Sequence, residues 1–329
     1  MKKIGLLLLV GLVIAASCST LSLSAAGKTL RLAEVHSKGY PTEVADEKFA
    51  ELVEKKTNGK LKIQVYPDSQ LGSESNAIEQ VKLGVIEFAR VSLSPVGAVE
   101  PAVNVFNLPY LFNSQAHMWK VLNSSIGAYF LKVVEKNDLI GLTYFESGAR
   151  NFYTKKLVKT PADLKGLKIR VQPSPINNKL MEAFGATGVA IDFGEVYSAL
   201  QTGVADAAEN NIPSWVSKSH YEVAKYMIFD GHSRIPEILM VSKKFFTALT
   251  PAEQKAVREA AKEATAFQIK KWNEAEDDYL ATAKAKGCTI TQANVAEFQA
   301  AASKAYTAIY AMPEYKGLKT WVDKIKAVK

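Results

Sequence analysis

The chain has 329 residues, 48% of them apolar, and a formal charge of +8. That length buries a large core and usually divides into two domains. The lysines are scattered, with no basic stripe interleaved with aromatics, which argues against nucleic-acid binding, while a mild positive field suits anionic solutes.

Met1-Lys2-Lys3, an apolar run from Ile4 to Ala16 and small or polar residues to Ala26 have the order of a secretory signal peptide. The run is about half of the roughly 20 residues a membrane-spanning helix needs. Cleavage after Ala26 is favoured, because Thr29 to Val35 already reads as a strand and a short spacer should precede it. Ala15-Ala16-Ser17-Cys18 is a loose lipoprotein pattern, so lipid anchoring at Cys18 is the alternative. Residues 1–26 are therefore read as a signal peptide and the destination as the periplasm. Their loss would remove Lys2 and Lys3 and leave Cys288 as the sole cysteine, so no intramolecular disulfide is expected.

The mature chain alternates short strands with helices, the rhythm of an α/β protein. Leu30 to Val35 reads as a strand. Thr42 starts a helix with Ala45, Phe49, Leu52 and Val53 on one face, closed by Asn58-Gly59. Leu61 to Tyr66 alternates as a strand, Ser73 to Gly84 forms a helix, and Phe88 to Leu93 a third strand. Leu139 to Phe145 and Leu167 to Val171 read as strands flanking a turn over 160–166. A helix over 177–184, a strand over 189–191 and a helix over 195–201 repeat that style. From Thr250-Pro251 to Lys286-Gly287 the chain is rich in Ala, Glu, Lys and Gln with no interior Gly or Pro. This reads as one helix about 50 Å long at 1.5 Å per residue, either a surface helix of one large domain or a strut across two. Helices near 294–310 and 318–325 end the chain.

Local catalytic templates are missing: there is no Gly-x-Ser-x-Gly elbow, no Gly-x-x-x-x-Gly-Lys phosphate loop and no dinucleotide fingerprint. His36, His117, His220 and His232 are far apart in sequence, and Cys288 has no partner, so metal ligation has little support. No enzyme activity, cofactor or metal is expected.

The informative block is Glu146-Ser-Gly-Ala-Arg150-Asn-Phe-Tyr153, then Leu164-Lys-Gly-Leu-Lys-Ile-Arg170-Val-Gln172. In a strand, Leu167, Ile169 and Val171 share one face while Lys168 and Arg170 share the other. From spacing alone, Arg170 reads more readily as a solvent-facing residue.

Over nearly the whole mature chain the sequence resembles the extracytoplasmic solute receptors of TRAP transporters, the DctP-type family. The matching segments are Tyr66-Pro-Asp-Ser-Gln-Leu-Gly72, Leu108-Pro-Tyr-Leu-Phe112, Leu164 to Val171, Phe193-Gly-Glu-Val-Tyr-Ser-Ala-Leu-Gln201 and Asp206-Ala-Ala-Glu-Asn210, whose order and spacing together are specific. The resemblance implies a two-lobed periplasmic-binding-protein-like α/β fold with a ligand cleft between the lobes and the long C-terminal helix crossing both. Lobe I would comprise 28–147 plus 236–275, and lobe II 148–235 plus 276–329. It also implies that Arg170 binds a ligand carboxylate, with Arg150 and Asn210 as further contacts and Phe193 packing on the ligand. Asn211 follows Asn210 where many relatives have proline, which leaves open which of the two points inward. A guanidinium suits the first role because its planar fork meets a carboxylate through two parallel hydrogen bonds.

His36-Ser-Lys-Gly-Tyr-Pro-Thr42 lies just after the first strand, where ligands of open α/β sheets bind. Glu74 opens a helix and Arg90-Val-Ser92 follows the third strand, offering donors and acceptors suited to hydroxyls. Glu74 serving only its helix N-terminus and His36 as a strand-end hydrogen bonder stay open as alternatives. Gln172 and Asp192, which adjoin the Arg170 and Phe193 segments, complete the candidate set. The His36 and Arg90 segments resemble members that bind hexuronates such as glucuronate or galacturonate. A receptor for a dicarboxylate or keto acid, or a ligand-presenting partner of a membrane sensor, are the alternatives. The implied partners are a small organic acid and the TRAP membrane subunits, with the receptor itself a monomer.

Overall fold

The computed structural model describes residues 29–329; the signal-peptide and Cys18 readings fall outside the described residues. Strands β1 (Thr29–Ala33), β2 (Lys62–Tyr66), β3 (Phe88–Ser92) and β4 (Leu139–Phe145) come first. After them come β5 (Arg150–Thr154), β6 (Lys168–Val171), β7 (Thr187–Ala190), β8 (Ala207–Asn210), β9 (Tyr226–Ser233), β10 (Glu237–Ser242) and β11 (Thr289–Gln292). They form two mixed sheets, one in the order β2-β1-β3-β10-β4 and the other β11-β9-β5-β8-β6-β7. Each sheet carries one strand running against the rest, β10 in the first and β5 in the second. The carboxyl ends of β1, β3 and β4 and the start of β10 therefore lie along one edge of the first sheet. The carboxyl ends of β6 and β8 and the start of β5 form the matching edge of the second.

Helices cover the sheets for the reason their patterns suggest. In Pro41–Lys56, Ala45, Phe49, Leu52 and Val53 are buried, and the helix starts with proline, whose missing N–H has no helical partner to lose. The helix Glu74–Leu83 is capped at one end by Ser73 and Asn76, and at the other by Gly84 at φ 69°.

The long helix spans Pro251–Ala285. It opens with a reciprocal cap in which Glu253 N donates to Thr250 Oγ1 (3.3 Å) and Thr250 N donates to the Glu253 carboxylate (2.9 Å). Val257, Ala260, Ala261 and Ala264 pack with Phe49 and Val53 of the first lobe, while Tyr279, Leu280 and Ala283 pack with Trp215 and Val216 of the second. It is a strut, bound at each end to a different lobe.

Two further segments cross between the sheets, residues 146–149 joining β4 to β5 and 234–236 joining β9 to β10. The strut grips the first of them: Gln268 accepts from Glu146 N (2.7 Å) and donates to Glu146 O (3.0 Å). Gly148 holds φ 66° there, and a Cβ on it would lie 2.9 Å from the Trp272 ring, so the crossing requires glycine.

The tail departs from the expected lobe II span of 276–329. Helix Val295–Tyr310 does place Phe298 and Ala302 against Phe152 and Phe184 of the second lobe. Helix Leu318–Lys326, however, puts Leu318, Val322 and Ile325 into the core of Phe106 and Phe130. Trp321 lies 4.9 Å from the Phe130 ring, and His117 Nε2 is 3.0 Å from Ile325 O. The apolar stripe of that last helix fits the uncovered side of the first lobe, so the chain ends where it began.

Candidate ligand-binding site

The facing sheet edges leave between them a narrow cavity of about 10 Å³. The first lobe lines it with Val35, His36, Glu74, Ser147 and Glu237, and the second with Arg150, Gln172, Phe193, Asn210, Asn211 and Ser214. Direct contacts hold the lobes together around it. Tyr40 Oη lies 3.0 Å from Ser214 Oγ and 3.2 Å from Asn211 Oδ1; Lys218 Nζ reaches Asp68 at 2.7 Å; and the Phe193 ring meets the edge of His36 at 5.0 Å.

In the second lobe, Tyr153, Ala208 and Arg170 lie side by side in register across β5, β8 and β6. Their face carries a layer of packed side chains, so Arg170 is 1% exposed and does not face solvent. Its Nε donates to Ile191 O at 2.8 Å, and its Nη1 is buried with no hydrogen-bond partner among the described residues. Burial pulls its proton affinity below the usual arginine value, and no ion pair offsets that cost. Arg170 stands just behind the cavity wall, within electrostatic reach of Arg150 and Glu74.

Arg150 is matched. Nε and Nη2 grip the Glu209 carboxylate at 2.5 and 2.8 Å, and Nη1 donates to Asn210 Oδ1 at 2.9 Å. Glu209 is fully buried, which would raise its pKa, but Arg150 and the hydrogen bonds from His232 and Arg150 bring it down to about 2. His232 Nδ1 in turn sits 2.8 Å from Asp230, whose carboxylate overcomes burial and lifts the imidazole to about 9. Both asparagines reach the wall: Asn210 accepts from Arg150, while Asn211 Oδ1 accepts from Ser214 N at 2.8 Å and caps the helix Ile212–Ser217.

The first lobe answers with carboxylates. Arg90 is fully buried, with Nε donating to Glu34 Oε2 at 2.7 Å, Nη2 to Glu34 Oε1, and Nη1 to Glu237 Oε2 and, at 3.1 Å, to Glu74 Oε1. It is not part of the cavity wall, and three acids engage the donors that a direct contact with solute would need. Ser92 is also held back: its N donates to Glu74 Oε1 at 2.8 Å, and its hydroxyl caps the short helix Leu93–Val96. Burial and the Glu237 charge push Glu74 up to about 7, against the pull of Arg90. Burial and the charge of Arg90 push the His36 imidazole down, and its ring stacks on Tyr40 at 3.9 Å. Asp192 is half-buried, outside the cavity wall, and its carbonyl starts the turn at Phe193–Glu195.

Geometry thus brings His36, Glu74, Arg150, Gln172, Phe193 and Asn210 to the wall, Arg170 beside it, Arg90 and Ser92 behind it, and leaves Asp192 off it. Sequence reasoning missed Tyr40, Ser147, Ser214 and Glu237. Glu237 had a readable signal, an acid opening the otherwise apolar strand Glu-Ile-Leu-Met-Val-Ser.

Residues 32–312 match the profile of bacterial extracellular solute-binding protein, family 7. This chain belongs to that family. The solute-binding protein is 39% identical to a TRAP periplasmic solute binding protein from Xanthobacter autotrophicus, solved with bound β-D-galacturonate. The match covers 92% of this chain and 100% of that one with a TM-score of 0.87. It is 36% identical to one from Roseobacter denitrificans with bound β-D-glucuronate, covering 92% and 100% of the two chains at TM-score 0.88. A solute-binding protein from Chromohalobacter salexigens is 38% identical over 267 residues, 81% of this chain and 79% of that one. Among the described residues of this solute-binding protein, no helix is long and apolar enough to cross a membrane.

Proposed function

We propose that this protein captures a hexuronate, D-glucuronate or D-galacturonate, in the periplasm and delivers it to the membrane subunits of a TRAP-type secondary transporter, acting as a receptor and not as a catalyst. The observation that carries this reading is the buried, unpartnered guanidinium edge of Arg170. An anion that supplies two aligned acceptors satisfies it and removes the cost of the unpaired charge. Arg150 Nη1 and Asn210 flank the same carboxylate, and Phe193 packs on the sugar ring.

The first-lobe wall then discriminates. Glu74 and Glu237 face the solute hydroxyls, and the Glu237 carboxylate opposes a second carboxylate, which disfavours dicarboxylates. Arg90 acts on the solute through Glu74 and Glu237, and Ser92 through Glu74 and through Gln172, to which its hydroxyl donates at 3.4 Å. Closure of the two lobes, hinged at 146–149 and 234–236 and guided by the strut, excludes water and strengthens the charge pairing. The solved relatives with bound galacturonate and glucuronate support the choice of solute.

The test is a thermal-shift panel of D-glucuronate, D-galacturonate, C4-dicarboxylates and 2-keto acids, since a solute that binds only the folded state raises the melting temperature. A shift with the hexuronates supports the reading. A shift with succinate or a keto acid and none with either hexuronate overturns it.

A further inference from the structure

Arg90 is one cation set against three buried carboxylates. Glu34 occupies Nε and Nη2, so Glu237 Oε2 and Glu74 Oε1 both converge on Nη1. Two ionised carboxylates sharing one nitrogen repel each other, and burial magnifies the repulsion. Asp46 lies in the same electrostatic neighbourhood, fully buried beside Glu34. His36, three residues past β1, has its imidazole pushed down by burial and by Arg90. Across the cavity the groups facing Glu74 are the matched Arg150 and the unmatched Arg170.

Of the three acids on Arg90, Glu74 is the most accessible, with its side chain 11% exposed against 0% for Glu34 and 5% for Glu237. Its Oε1 accepts from Arg90 and from Ser92 N, while its Oε2 has no hydrogen-bond partner among the described residues. Glu74 lines the cavity that the solute enters.

We propose that Glu74 works as a neutral carboxylic acid whose Oε2–H donates a hydrogen bond to a solute hydroxyl, so that capture of the anion, on the reading given above, takes up a proton. An incoming carboxylate adds one more negative charge to the cavity and drives the same protonation. Burial and the Glu237 charge, which lift Glu74 to about 7, favour the neutral form. The sign follows from linkage: as pH rises Glu74 ionises, the donor is lost, and affinity falls by up to tenfold per pH unit.

The experiment is calorimetric titration with D-glucuronate at about pH 6 and about pH 8.5, in buffers of differing ionisation enthalpy, on the wild type and on Glu74→Gln. Wild-type affinity is expected to fall more than tenfold over that interval, with net proton uptake approaching one. Glu74→Gln, which keeps an N–H donor but cannot ionise, should bind with an affinity that no longer changes with pH. Pairing the two proteins removes His36, which titrates lower, and His232, which titrates near 9, since both keep them. Wild-type binding that is flat with pH and takes up no proton overturns the inference while leaving the hexuronate reading intact. Failure of glucuronate to bind at either pH overturns that reading instead. The carboxyl carbon of Glu74, followed by NMR and assigned by its loss in Glu74→Gln, then decides: a midpoint near neutrality sustains the neutral acid, and one in the ordinary carboxylate range ends it.

Discussion

Arg90 and Arg170 are both buried arginines on strands, one in each lobe, yet their surroundings are opposite. Arg90 is held by Glu34, Glu237 and Glu74, whereas Arg170 has a single carbonyl, Ile191 O, and a buried Nη1 with no partner. The first is internal scaffolding, fixing three acids so that two of them face the cavity. The second is a buried charge to which the described residues give no ion-pair partner.

The widest expected separation is in stability. Arg90→Met leaves three carboxylates without their cation and should cost about 3 to 5 kcal/mol or prevent folding, as removal of one side of a buried ion pair does. Arg170→Met removes a buried charge that has no ion pair, and should leave the urea midpoint unchanged or raise it. A large loss of stability in Arg170→Met would erase the distinction between the two. In binding the order reverses: Arg170→Ala should lose roughly 2 to 5 kcal/mol of affinity for glucuronate by calorimetry.

Arg150, the matched arginine of the second lobe, extends the comparison through pH. Its partner Glu209 is steadied by His232, whose folded pKa of about 9 lies above the ordinary 6.5. A raised pKa contributes stability that is fully present below 6.5 and is lost as pH rises through about 9, in all roughly 3 kcal/mol. Urea midpoints should therefore fall between about pH 6.5 and 9.5, and His232→Gln should flatten that decline.

Contacts between the lobes give smaller effects. Tyr40→Phe loses the hydroxyl shared by Asn211 and Ser214 and should weaken solute binding by about 1 kcal/mol. Lys218→Ala breaks a half-exposed pair with Asp68 and should change affinity by under about 0.5 kcal/mol.

Much of this architecture is legible where a pattern carries it. The helices Glu74–Leu83 and Pro251–Ala285 announce themselves through Ser73 and Gly84, or Thr250 and Glu253, and β4 by a largely apolar run interrupted at Thr143. β8 is the opposite case: Ala-Ala-Glu-Asn has no β-branched residue, and its pairing with β5 and β6 makes it a strand. Arg170 is the instructive error of spacing alone. Alternation places it opposite Ile169, but only the tertiary fold reveals that the opposite face is buried too. Arg90 failed the other way, since no local signal ties it to Glu34, Glu74 and Glu237, which are 56, 16 and 147 residues distant.

A crystal structure of the protein with D-glucuronate tests the central claim most directly. The account predicts the solute carboxylate across Arg170, with two nitrogen–oxygen distances of about 2.7 to 2.9 Å, and its hydroxyls toward Glu74. A carboxylate bound elsewhere in the cleft, with Arg170 Nη1 still unpartnered, would contradict it.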